Sequence, residues 1–549
     1  MRTLAFAAAV LCALAGATAA GASGWSSSVL FTNQVVSQPA NGGGYPVADG
    51  SNAPVPGTCR AGVFNSNRSE SWLAVKPGTE NLVGSSKFFF EKWSTFYDFH
   101  LGSYSMTNGS PGANVQIPGY DCVSNGGTQA MPPDWTNNTD PNVDFDNEGR
   151  AYQVTLPFNA YWTNLHPNGA IGVVYSDDLG QSWHPGNGGN YLAQFNNSTS
   201  LSFGDVVDKQ WVAVNRTSLN PAVRDSVYAM WAVFNGFTVE VDASVSRDRG
   251  QTFSKPVKVT FPNTVGPSNT YILPSVDASG DLYVAFTSFP ACCSSPATIY
   301  VSKIADDGKS LTPVYTTQVG QTDSIGSFAN TRFRDGITES FAASPRYPGH
   351  LYVAWEQWDG TQMDVAFRQS TDGGLTWSAK TIVNDNVDAP SAPTDQFQPS
   401  VAAGSGGAVG VAFYDRRQAC PTNDRAILAA DQGRQNFCID ASLQAYKDSG
   451  NGAVPVGGNV DISKFSWDPE QPGQKVDGLS QYPCAAHTDP CPNGSGFIGD
   501  YFGLAISDGN FYTLGVTTHE PSQVKADGTG RVYYQQQVLA TVARSEFGL

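Results

Sequence analysis

Six carboxylates each stand a few residues ahead of a short apolar strand pattern: Glu70, Asp140, Asp208, Glu339, Asp395 and Asp500. Acids at equivalent places in repeated units converge when those units pack around one axis. A converging ring supplies a general acid and a second carboxylate, the pair that glycoside cleavage uses. It equally offers oxygen ligands to a hard cation such as Ca²⁺, and Asp ahead of a turn also serves simply to hold backbone N–H groups. Other chemistries find little support. The histidines (His100, His166, His184, His350, His487 and His519) are scattered with no H-E-x-x-H spacing, and no G-x-S-x-G elbow accompanies a serine. No cofactor is expected, Ca²⁺ aside.

The elements that must position these acids recur. A short apolar strand, a turn rich in Gly, Asp or Pro, and a second apolar strand appear as Ser71–Val75 with Asn81–Gly84. The phrase returns at Asn142–Phe145 with Ala151–Leu156, at Gln210–Val214 with Ser226–Phe234, and at Pro274–Asp277 with Asp281–Phe286. It continues at Ser340–Ala343 with His350–Trp355, at Pro399–Ala402 with Ala408–Phe413, and at Asp500–Ala505 with Asn510–Val516. Starts fall roughly 60 to 70 residues apart, a spacing that suits four-stranded blades. The last interval is about 100 residues and holds four cysteines, which reads as a disulfide-pinned insertion near 418–495. The expectation is an all-β propeller of seven blades, a single domain over 21–549. Arg531–Leu539 or the stretch after Trp25 completes the closing blade.

Three octapeptides share the pattern S-x-D-x-G-x-[ST]-[WF]: Ser176–Trp183, Ser246–Phe253 and Ser370–Trp377. Asp306–Leu311 is a worn fourth copy lacking the Ser and aromatic ends. In such a turn Asp accepts backbone N–H bonds, Gly supplies positive φ, and the aromatic packs the hairpin onto its blade. This octapeptide is the Asp-box, or bacterial neuraminidase repeat, and the chain resembles the secreted sialidase-like propellers that carry it. Asp208–Val214, Phe413–Arg417 and Phe497–Gly503 resemble further phrases of that group. The resemblance implies a sialidase-like exo-glycosidase acting at a central funnel, away from the boxes, with six blades as the alternative count. It implies Glu70, Asp208 and Asp500 as catalytic acids and a tyrosine nucleophile, for which Tyr501 and Tyr414 adjoin the charged phrases. It further implies an arginine trio holding a sugar carboxylate, drawn from Arg68, Arg332 or Arg334, and Arg416 or Arg417. The early Phe/Tyr-Arg-Ile-Pro phrase of true sialidases is absent; Asn67-Arg68-Ser69-Glu70 stands there. A non-catalytic glycan- or protein-binding propeller is therefore an alternative reading, and a polysaccharide lyase using His100 or His166 is another.

Arg2, the apolar run Leu4–Gly16 and Ala17-Thr18-Ala19 form a signal peptide over 1–20, so the expected destination is extracellular. Eight cysteines remain beyond Cys12, which suits a secreted chain. Cys420–Cys438 and Cys484–Cys491 close local loops, Cys59–Cys122 is a further pair, and Cys292-Cys293 are adjacent. Asn67, Asn108, Asn137, Asn196, Asn197, Asn215 and Asn493 each begin a glycosylation sequon. Net charge is −17 with only 14% charged residues, which excludes a nucleic-acid partner for want of a basic stripe. No long apolar segment follows the leader, so no membrane span is expected. The expected partners are glycans or glycoconjugates, and the expected state is a monomer.

Overall fold

The computed structural model describes residues 24–37, 67–89, 99–117, 137–158, 169–195, 205–235, 238–291, 295–323, 328, 330–335, 339–389, 391–473, 475–476, 479–480, 482–484, 491–523 and 531–549. The signal peptide, Cys59, Cys122, Cys292, Cys293, His166, His487, Asn196 and Asn197 lie outside the described residues.

Val, Ile, Tyr, Phe and Trp alternate with small polar residues along this chain, and short strands are the result. The described residues form strands with only three-residue and four-residue 3₁₀ turns between them. Most of them group into seven four-stranded antiparallel units; Ala193–Phe195 adds a further strand to the second, and Lys475–Val476 with Leu479–Ser480 and Pro521–Gln523 with Arg531–Tyr533 form separate two-stranded ribbons. The first holds Arg68–Val75, Leu82–Phe89, Phe99–Thr107 and Ser110–Gln116. In the second, the split first strand Asn137–Thr139 and Asp144–Phe145 pairs with Ala151–Phe158, which pairs with Gly169–Ser176, and that strand with the short His184–Pro185. The third runs Asp205–Val214, Val227–Asn235, Val239–Ser246 and Val257–Val259. The fourth runs Ser268–Val276, Leu282–Phe289, Ala297–Asp306 and Leu311–Thr322. Units one and two are joined by one parallel bridge, Phe99 to Asn137, and three and four by another, Val239 to Ser268.

The fifth unit is Glu339–Ala343, Leu351–Trp358, Met363–Ser370 and Thr381–Ile382, and the sixth is Gln396–Ala403, Ala408–Asp415, Asp440–Asp448 and Ala453–Asp461. The seventh takes Gly503–Ile506, Asn510–Thr517 and Gln536–Ala543, and its fourth strand is Phe31–Val35 from the start of the chain. All seven strand pairs read from the sequence are the first two strands of these units. The long sixth interval is not one insertion: Asp440–Asp461 supplies two strands of the sixth unit, leaving separate loops before and after. Cys420–Cys438 and Cys484–Cys491 are both bonded, one in each loop.

First strands touch in chain order, and that of the seventh unit returns to that of the first. The core lies in the seams between units, not at a common centre. Tyr152, Val173, Val212 and Trp231 fill the seam between units two and three. Leu73, Tyr104 and Met106 meet Tyr512, Leu514 and Leu539 between units one and seven.

Each Asp box joins the third strand of its unit to the fourth: His184–Pro185, Val257–Val259 or Thr381–Ile382. Asp178 Oδ1 accepts the Ser176 hydroxyl and the Ser182 N–H, both at 2.8 Å, and Gly180 N donates to Ser176 Oγ at 2.8 Å. Asp248 and Asp372 repeat this pattern. The sequence places the box aromatic on its own hairpin, but the structure places it in the seam with the preceding unit. Trp183 packs with Val83 and Leu101, and Trp377 donates its indole N–H to Thr317 Oγ1 at 3.1 Å. The boxes are staples between neighbours.

Three sequons are closed to glycans in this fold. Asn67, Asn137 and Asn215 are buried; Asn67 accepts the Gln535 N–H, and Asn215 donates to Gly280 O. Asn108 and Asn493 are exposed. Among the described residues no helix is long and apolar enough to cross a membrane.

Candidate functional site

The first strands share one irregularity near their starts. Glu70, Lys209, Tyr271 and Gln398 each adopt positive φ (55°, 52°, 55° and 46°) at a break in strand register. Asp140, with φ 57°, sits in the gap of the split strand of unit two, and Gly499 (φ 109°) precedes the seventh first strand. A Cβ on Gly499 would lie 2.5 Å from the Glu70 backbone nitrogen, so glycine is required there. Bulges of this kind re-aim side chains, and left-handed non-glycine residues are strained unless their surroundings hold them. Here they turn charged side chains from different units toward one another.

Six charges then alternate in sign. Glu70 Oε2 is 2.8 Å from Lys87 Nζ, which is 4.0 Å from Asp140 Oδ1. Asp140 Oδ2 is 3.9 Å from Lys209 Nζ, which is 3.0 Å from Asp500 Oδ2. Arg334 grips Asp500 bidentately, Nε at 3.1 Å and Nη2 at 2.8 Å. The chain runs from a fully buried end at Glu70 to an open end, where the Arg334 side chain is 33% exposed. Asp208 branches from it, accepting the Lys209 N–H at 2.8 Å, with the Asp140 charge close enough to raise its proton affinity.

These surroundings divide the carboxyls. Burial pushes Glu70 up to about 7 against the pull of Lys87, and Asp208 up to about 6 against Lys209. Burial acts upward on Asp500 too, but Arg334, Lys209 and Lys87 together hold it well below the usual carboxylate range. Asp140 is likewise lowered, burial being outweighed by Lys209 and Lys87.

Between the first strands lies a cavity of about 250 Å³. Where those strands begin it is lined by Asp140, Lys209, Tyr271, Glu339, Asp500 and Tyr501, and where they end by Asp144, Arg216 and Pro345. Glu339 is buried, its Oε2 accepting the Thr287 hydroxyl at 2.6 Å, while Oε1 has no hydrogen-bond partner among the described residues. Burial, opposed by that hydrogen bond, pushes its carboxyl up to about 8.

The structure brings Glu70, Asp208, Asp500 and Arg334 together and pairs Arg332, Arg416 and Arg417 with other carboxylates. Arg332 Nε donates to Glu470 at 2.6 Å. Arg417 is enclosed by Asp415, Asp385 and Asn459. Arg416 is fully buried 3.6 Å from Asp395, itself tied to Asn436. Arg68 is fully buried, in the field of Tyr104. Tyr501 donates its hydroxyl to Pro141 O at 2.9 Å and sits edge-on to Trp72 and Trp211, and burial raises its pKa further. Tyr414 lies in the core and accepts the Val516 N–H. Lys87, Lys209 and Tyr271 are additions to the sequence-derived set. A lysine inside the strand Leu82–Phe89, ahead of Phe88-Phe89, is the one sequence signal that could have found Lys87, whereas Tyr271 carried none.

No protein-family model matches the chain, and no curated protein does either. Among solved structures, phage phi92 endosialidase aligns with a TM-score of 0.44 at 9% identity, over 94% of this chain and 69% of its own. A Penicillium chrysogenum alpha-L-arabinanase complexed with arabinobiose gives 0.39 at 10% identity, over 73% and 94%. A Hadza microbial sialidase gives 0.40 at 13% identity over 64% of this chain, which spans 63% of that sialidase's length.

Proposed function

We propose that this chain is a secreted seven-bladed β-propeller glycoside hydrolase acting on extracellular glycans, with Glu339 as general acid and Asp500 as the second carboxylate. One observation carries the reading. Three carboxyls line the same end of one cavity, and their surroundings push the proton affinity of Glu339 up and those of Asp140 and Asp500 down. That separation is how a site assigns one acid and one anion at neutral pH. Glu339, protonated, has an Oε1 that is buried without a hydrogen-bond partner among the described residues, and it donates to a leaving glycosidic oxygen once the carboxyl turns into the cavity. Asp500, ionised and fixed by Lys209 and Arg334, is the base or nucleophile on the other side of the bond. Glu70, Asp208 and Asp140 are positioning residues: through Lys87 and Lys209 they set where Asp500 sits. Tyr501 is wall, since its hydroxyl proton is committed to Pro141 O.

The cluster holds the acids Glu70, Asp140, Asp208 and Asp500 against the bases Lys87, Lys209 and Arg334, so it offers no positive excess. A neutral sugar fits this better than a sialic acid. The test is a panel of fluorogenic neutral glycosides with a sialoside included, run on the wild type and Glu339→Gln. Turnover of a neutral glycoside that the variant loses supports the reading, and equal rates from both proteins contradict it. The mutual pairing of Asp500, Lys209 and Arg334 favours one rival, a binding propeller, which would retain glycans on an array and release no product.

A further inference from the structure

The cavity that begins at Glu339 and Asp500 continues between the first strands as an apolar shaft. Its walls include Trp72, Leu273, Val276, Ala402, Ala403 and Ile506, all only half-buried although they stand at the middle of the molecule. Apolar side chains half-exposed at such depth face an internal space, not bulk solvent. Water in a space of this kind finds few hydrogen-bond partners, and apolar cavities accept apolar guests. Where the strands end, the Asp144–Arg216 ion pair and Pro345 border the shaft; between the ends its walls are mainly apolar, and the Ser275 and Ser340 hydroxyls that also line it are engaged by the Ala343 and Val401 N–H groups.

We infer that this shaft holds the hydrocarbon tail of an amphiphile whose sugar head sits at the charged mouth, so that the substrate class is a glycolipid or other long-chain alkyl glycoside. The inference rests on the hydrolase reading for its choice of head, and on the shaft alone for its tail. Continuity selects the occupant. An all-polar oligosaccharide threaded past Leu273 and Val276 would lose its hydration with nothing in return, whereas a single alkyl chain buries its methylenes. A branched or fused-ring tail does not suit a cavity of about 250 Å³ enclosed by seven strands. The acidity of the chain, −17 overall, sets a neutral head above an anionic one, because long-range repulsion slows the encounter with anions.

The test uses the full secreted protein carrying Glu339→Gln, so that binding is read without turnover. Hexyl, octyl and decyl maltosides, each below its micelle-forming concentration, are titrated while tryptophan fluorescence is followed, because Trp72 and Trp211 line the cavity. Affinity is expected to tighten roughly three- to fourfold per added methylene, with maltose alone giving no change. Ala403→Trp and Val276→Phe, each checked for an unshifted melting transition, are expected to abolish the chain-length dependence. Binding with no dependence on chain length, or dependence that survives both shaft variants, overturns the inference. The outcome is separable from the hydrolase reading: tail binding without hydrolysis by the wild type sinks only the latter, and hydrolysis of short aryl glycosides without tail binding sinks only the former.

Discussion

Lys209 Nζ lies 3.0 Å from Asp500 Oδ2, and this contact joins the third unit to the seventh across the end of the cavity. The two residues are 291 positions apart in sequence. Replacing Asp500 by Asn leaves Lys209 and Arg334 facing each other with no anion between them. The expected cost is about 3 kcal/mol in urea unfolding, the bottom of the range for breaking a buried pair because Arg334 is one-third exposed. In a double-mutant cycle, Asp500→Asn with Lys209→Met should show coupling above about 1 kcal/mol. Additive losses would mean that the pair is not energetically joined.

Glu339 and Glu70 set the direction of the pH dependence of stability. Both carboxyls are pushed upward by burial, to about 8 and about 7, from an ordinary value of 4.5. The native state therefore holds protons that the unfolded chain has released, and stability falls as pH rises through the interval from about 4.5 to 8. Asp500 acts oppositely: its contribution is present above pH 4 and lost on acidification. Melting temperature should decline from pH 5 to pH 8 in the wild type. Glu339→Gln should flatten that decline by close to one proton's share of the slope, and an unchanged slope would exclude the raised value.

The fold was legible because each unit announces its first two strands by alternating apolar residues around a turn, and because each box repeats a local hydrogen-bond pattern. Local signals of that kind survive without knowledge of neighbours. The site was legible only in part. Glu70, Asp208 and Asp500 stand at the equivalent starts of first strands, and that position marked them. What joins them is Lys87, from the middle of a second strand, and Lys209, whose positive φ at a bulge redirects its side chain. Neither direction is written in local sequence. Arg416 and Arg417 show the converse: adjacent to a charged phrase, they are spent on Asp395, Asp415 and Asp385 within one region of the fold. Glu339 was one acid of six until the cavity distinguished it.

The boxes staple seams and contribute no residue to the lining of the cavity, so their loss should be purely structural. Asp178→Ala, Asp248→Ala and Asp372→Ala each remove three turn hydrogen bonds at exposed or half-exposed positions, for a cost of about 1 kcal/mol apiece. The sites are well separated, so the triple variant should lose close to the sum. Catalytic constants should remain within twofold for each single variant; a large fall would place the boxes nearer the site than they stand here.

Sequon burial makes a prediction that needs no substrate. In protein secreted from a eukaryotic host, peptide mapping should find glycans at Asn108 and Asn493 and none at Asn67, Asn137 or Asn215. A glycan on Asn215, whose amide is bonded to Gly280 O and Tyr228, could not coexist with this seam.

The assignment of Glu339 as acid and Asp500 as anion is tested most directly by the pH dependence of kcat/KM on a hydrolysed glycoside. That quantity reports the ionisations of the free enzyme. Asp500 stays ionised down to about pH 4, so a change between pH 7 and 5 reports Glu70 and Asp208 rather than the anion, and kcat/KM should fall above about 8 as Glu339 loses its proton. Glu339→Gln should lower kcat/KM by roughly 10² to 10⁴ and remove the alkaline fall. An alkaline fall that persists in Glu339→Gln, or activity within twofold of the wild type, would contradict the account.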